Sequence, residues 1–186
     1  MRVRWLLALI PCVLVAVAVM TLGPWAGVAE SFEPAQPFEV AAPESGEAAA
    51  ELLGGLGGEG RARYRSAQLW DAPFALANAG ALLVLLLVPA RLVWRRSGLI
   101  WVLGALPVAV LVGEGIENAG ILSMLAAFEA SGQIDPGLAG LGTSIKFGAF
   151  VPAMPLALLL WLSAGVLGLL RWRRGRNGGD VASDGE

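Results

Sequence analysis

Four long, predominantly apolar runs, Trp5–Leu22, Pro73–Val93, Leu99–Leu125 and Ile145–Leu170, occupy half of this 186-residue chain. A helix needs about 20 residues, at about 1.5 Å each, to cross the hydrocarbon core of a bilayer. Because lipid offers no partner for backbone N–H and C=O groups, such runs must satisfy their hydrogen bonds internally, as helices. Only 15% of residues are charged, against about 25% in ordinary soluble domains. The expected fold is therefore an all-α, polytopic membrane bundle with four transmembrane helices and a helical outer segment between the first and second.

Two scarcities narrow the chemistry. The chain has no histidine, which removes Ser-His-Asp catalysis, histidine-ligated zinc or haem and a histidine proton shuttle. Its single cysteine, Cys12, removes intrachain disulfides and cysteine-rich metal sites. No metal and no cofactor is expected, and nothing in the charge pattern suggests nucleic acid. The first run is read as a retained anchor, with cleavage after Gly27-Val28-Ala29 as the alternative. Its 18 residues exceed the roughly 7 to 15 of a signal-peptide core.

Orientation follows from the arginines. Arg2 and Arg4, then Arg91, Arg95 and Arg96, then Arg171, Arg173, Arg174 and Arg176 all fall on one side of a four-crossing chain, nine of its thirteen basic residues. Short basic loops stay in the cytoplasm, so both termini are expected there, in a bacterial inner membrane. Arg61, Arg63 and Arg65 oppose this from a long loop, where the rule is weak. The implied organisation is a first helix over 1–22, an extracytoplasmic segment over 23–70, a three-helix membrane core over 71–170 and a cytoplasmic tail over 171–186, unstructured from Gly175 onward.

Within the outer segment, Ser45 is placed to cap a short helix through Glu47–Leu53 that stops at Gly54-Gly55. A second helix is expected from about Gly58 through Tyr64 and Gln68 into the second span. Gly55-Leu-Gly57-Gly-Glu-Gly60 matches a dinucleotide fingerprint by letter, but it lacks a preceding strand and reads as a hinge. Gly137-Leu-Ala-Gly140-Leu-Gly142 reads as an outer turn feeding the fourth span. Ala75, Ala79, Gly113, Gly115, Ala119, Gly148, Pro152 and Ala153 are small or compact enough for close helix approach, and Pro107, Pro152 and Pro155 are expected to bend their helices.

Polar residues inside the spans are the informative exceptions. Asp71 and Asn78 lie two turns apart on the second helix, while Glu114, Glu117 and Asn118 share a face of the third. Thr143, Ser144 and Lys146 open the fourth. Helical rise puts Glu114 within about 5 Å of the bilayer midplane and Glu117, Asn118 and Asn78 about 10 Å outward of it. A carboxylate facing lipid near the centre costs at least about 2.5 kcal/mol, so Glu114 and Glu117 must face the bundle interior or water. Lys146 is expected to pair with Glu117 or Asp71, leaving Glu114 farthest from it. One ammonium does not neutralise three acids.

Asp71, Asn78, Glu114, Glu117, Asn118 and Lys146 are thus candidate ligand- or proton-binding residues, with no catalytic set identified. The same cluster serves equally as an interhelical lock. The segment Tyr64-Arg-Ser-Ala-Gln-Leu-Trp-Asp71-Ala-Pro73, the Glu114-Gly-Ile-Glu117-Asn118 run and Thr143-Ser-Ile-Lys146 together resemble a loose family of uncharacterised bacterial four-helix integral membrane proteins. In that family an Asp-x-x-Pro-like second span, a Glu-Asn third span and a lysine opening the fourth recur. Here an Ala-Pro stands where bulkier residues are usual, and Glu114 where an aspartate is common. The resemblance, over about Glu47–Leu170, implies shared architecture and a shared polar cluster, but no activity.

Three readings of function remain open from sequence. The leading one is an accessory or scaffold subunit whose partners are the lipid bilayer and either other membrane subunits or further copies of itself. The alternative is a proton-, ion- or lipid-binding protein or transporter component that uses Glu114 and Glu117. The last is a carboxylate-based membrane lipid enzyme, with paired acids as acid and base.

Overall fold

The computed structural model describes residues 9–22, 37, 38, 43, 45–94 and 98–177, all helix, turn or coil. Five helices follow in order: α1 Leu9–Leu22, α2 Gly46–Gly55, α3 Gly57–Val93, α4 Leu99–Ser131 and α5 Gly137–Asn177. The last three are long and apolar enough to cross a membrane, while α1 is a shorter apolar helix. Arg2, Arg4, Trp5, Arg95, Arg96 and the Gly27–Ala29 cleavage site lie outside the described residues.

The helix expected from about Gly58 and the apolar run Pro73–Val93 are one object. At 37 residues α3 is about 55 Å long, passing through Pro73 and Pro89 without interruption. It begins at a sharp corner: Leu56 closes α2 and opens α3, and Gly57 sits at φ +63°, where a side chain is disfavoured. This is the hinge expected from the glycine run. Ser45 caps α2 as expected, its hydroxyl accepting the Ala48 N–H at 3.1 Å.

Two boundaries differ from the sequence reading. Helix α4 continues to Ser131, where Gly132 at φ +71° ends it in the left-handed conformation typical of a helix C-terminus. Helix α5 starts at Gly137, so Gly140 and Gly142 belong to a helix rather than to an outer turn. The connection between α4 and α5 is thus confined to residues 132–136. Tertiary packing outweighs the low helix propensity of these glycines, for reasons seen below at the α4–α5 seam. At the other end α5 runs to Asn177, so the tail's first residues are helical and 178–186 lie outside the described residues. Pro107, Pro152 and Pro155 all sit inside continuous helices.

Apolar burial falls into two separate clusters. One joins Phe38, Ala49, Leu53, Tyr64 and Ala67 to Ile121, Met124, Leu125 and Ala139, so α2 and the start of α3 share a core with the facing ends of α4 and α5. A second one collects Leu82, Leu86, Ala90, Leu103, Val110, Ala149, Ala153, Ala157 and Leu160. Along each of the three long helices the buried charged residues fall between the two: Asp71 on α3, Glu114 and Glu117 on α4, Lys146 on α5. A polar layer therefore divides two apolar ones. Large aliphatic side chains cover the outside of α5, among them Val151, Leu158, Leu159, Leu162 and Val166, as a lipid-facing surface requires.

Candidate functional site

The layer owes its geometry to glycine. A Cβ on Gly113 would stand 2.6 Å from the Lys146 nitrogen and 2.9 Å from its Cα; on Gly142 it would overlap the Glu117 backbone, and on Gly120 that of Ala139. No side chain fits at these positions, so α4 and α5 approach backbone to backbone, the small-residue packing that membrane helices use in place of a hydrophobic drive. Gly113 and Gly120 are two turns apart and share one face of α4. Gly115 and Gly148, expected at such contacts, face open space.

That close approach brings the Lys146 ammonium onto Glu117. Lys146 Nζ donates to Glu117 Oε2 and stands 3.4 Å from Glu114 Oε2, so it bridges both carboxylates of α4. Glu114 is therefore a direct partner of the lysine, contrary to its expected place as the acid farthest from it. The reason is rotational: residues 114 and 117 lie almost one turn apart, and the lysine stem spans that rise. The Thr143 hydroxyl lies between Glu117 Oε1 and the Ala139 carbonyl, which it meets at 3.1 Å, and has one proton to donate. Lys146 Nζ also stands 5.2 Å from the centre of the Phe147 ring, within cation–π range.

Asp71 forms the second arm. Its Oδ2 accepts from Asn118 Nδ2 at 2.8 Å, which ties α3 to α4. Asn118 Oδ1 is buried with no hydrogen-bond partner among the described residues. Asp71, Glu114 and Lys146 are all buried and Glu117 is 0% exposed. Asn78, placed with this group by its spacing, is half-buried and contributes no hydrogen bond to it among the described residues. Ser144 turns away and bonds the Gly140 carbonyl at 2.8 Å. Thr143 joins instead; it lies three residues before Lys146, a spacing that puts both on one face of α5.

Helix α2 and the start of α3 cover one side of the layer. Arg61 donates to the Leu53 carbonyl at 2.9 Å and lies over the Phe128 ring at 5.0 Å, while Arg65 pairs with Glu129 at 2.8 Å. The buried Tyr64 hydroxyl accepts the Phe38 N–H at 3.3 Å. A lateral cleft of about 380 Å³ between α3 and α4, lined by Gln68, Ala75, Leu111, Gly115 and Asn118, reaches the Asp71 arm from the side. Among the described residues no three Cys, Asp or Glu side chains are grouped to hold a metal ion. Trp70 and Trp101 are exposed, whereas Trp94 packs on the second apolar cluster.

Stripped to its charges, the site holds three carboxyls and one ammonium on three helices, between two apolar layers. The chain matches no family model, no curated protein and no solved structure.

Proposed function

We propose that this chain is a four-crossing protein of the bacterial inner membrane, with both termini in the cytoplasm, whose buried Asp71–Glu114–Glu117–Lys146 cluster is a proton-binding centre. The observation that carries this reading is the charge imbalance. Lys146 serves Glu114 and Glu117 at once, and among the described residues the hydrogen-bond partner of Asp71 is the neutral Asn118 amide. Uncompensated charge in a low-dielectric interior is expensive, and interacting carboxyls relieve it by sharing protons. Ionisable residues inside membrane helices mark proton or ion pathways by default. The lateral cleft beside Asn118 supplies an approach from outside the bundle.

The fourth crossing is supported by α1 lying against α3: a side chain at Gly80 would meet Cys12 Sγ at 3.2 Å. Cys12 stands ten positions after Arg2 in the sequence and Gly80 eleven positions before Arg91, so this contact suits an antiparallel pair with both arginine groups at one face. Scaffolding through small-residue faces is the second reading: Gly113, Gly120 and Gly142 are engaged within the chain, which leaves the open positions at Gly115 and Gly148 to carry it.

Infrared difference spectroscopy of the whole protein in nanodiscs, scanned through neutral pH, tests the proposal. A carboxylic-acid C=O band that titrates in the wild type and is lost in Glu114→Gln or Asp71→Asn is expected. A band absent from the wild type, or untouched by both variants, would leave the cluster as a lock between helices and no more.

A further inference from the structure

A second cleft, on the other side of the polar layer, has a different chemistry. It encloses about 680 Å³ between α3 and α4 and is lined almost wholly by aliphatic and small residues, with Arg91 and Trp101 at one end and Val112 and Ile145 at the other. From Ile100 to Val112 the groove follows α4 for about 18 Å, close to the roughly 15 Å depth of one leaflet's hydrocarbon. Among the described residues its one charged lining residue is Arg91, in the last turn of α3, where a lipid headgroup would lie. Trp101 is 84% exposed beside it, the interfacial position that tryptophan favours. Gly104 creates the hollow: a Cβ there would meet nothing within 4 Å.

We infer that this groove binds one anionic phospholipid, with an acyl chain along Gly104 and Val108 and the phosphate on the Arg91 guanidinium. Length and apolar lining select a chain that starts at an interface and ends near mid-bilayer, which a soluble metabolite does not need. Arginine selects the phosphate, and its five donors serve a phosphate alongside contacts within the chain. A basic position at the mouth of a groove between membrane helices is the arrangement that recognises anionic lipid. The inference holds for either orientation of the protein and is independent of the proton centre.

Native mass spectrometry of the whole detergent-solubilised chain, with phosphatidylglycerol or phosphatidylcholine of identical acyl chains added, tests it. Wild type should retain phosphatidylglycerol about fivefold better, the preference that one arginine near the surface supplies. Arg91→Gln should equalise the two lipids, whereas Arg171→Gln, outside the groove, should keep the preference. Gly104→Leu fills open space, so circular dichroism should remain unchanged while retention of both lipids falls. Equal retention by the wild type, a preference surviving Arg91→Gln, undiminished retention by Gly104→Leu, or a lipid-free dimer formed through this face would each overturn the inference.

Discussion

Replacing Lys146 by methionine isolates the central interaction. The substitution keeps the length of the stem and removes only the ammonium, which in the wild type serves Glu117 and Glu114 together. Glu117 is 0% exposed, so no water replaces the lost partner; its remaining contact is the Thr143 hydroxyl. Breaking a buried ion pair from one side costs about 3–5 kcal/mol, because an uncompensated charge stays behind. For a chain of this size each kcal/mol shifts Tm by about 2–4 °C, so Lys146→Met should lower Tm by about 6–20 °C. Thermal unfolding in a fixed detergent, followed by circular dichroism, reads this directly. Adding Glu117→Gln to the same chain removes the stranded charge and should recover most of the loss, a coupling of about 0.5–3 kcal/mol in the double-mutant cycle. A single variant that melts within about 2 °C of wild type, or a double variant whose losses simply add, would refute the idea that the pair is desolvated and interdependent.

Other outcomes follow from local geometry. Gly142→Ala forces a Cβ into the Glu117 backbone, so α5 must separate from α4; a loss of about 1–3 kcal/mol is expected in detergent unfolding, with Gly148→Ala, facing open space, as the silent control. Ser45→Ala removes the cap of α2 and should cost about 1 kcal/mol, visible as faster amide exchange over 46–49 while exchange at the polar layer is unchanged.

How far the sequence spoke differs from helix to helix. Asp71, Glu114, Glu117, Asn118 and Lys146 could be named beforehand because a charged or amide side chain inside an apolar run has few tolerable places to be. Asn78 obeyed the same rule on spacing alone, yet α3 turns it away from the hydrogen-bonded group, since seven residues fall about 20° short of whole turns and the neighbouring helix decides the remainder. Thr143 was visible only as a polar neighbour of Lys146; a hydroxyl advertises nothing until a carboxylate stands beside it. Gly120 and Gly142 carried no chemical signal, because the absence of a side chain means one thing in a turn and another between two packed backbones.

Hydrophobic length and the rarity of charge were sufficient to specify an all-helical, lipid-facing chain, since backbone groups in hydrocarbon have no partners but one another. The corner at Gly57 and the cap at Ser45 were likewise local, set by a permissive dihedral and a hydroxyl one turn from its target. Which acid meets the lysine was not local. It depends on how closely α4 and α5 approach and at what rotation, quantities fixed by facing glycines from two distant stretches of chain, and so only the packed structure places Glu114 and Glu117 together on Lys146.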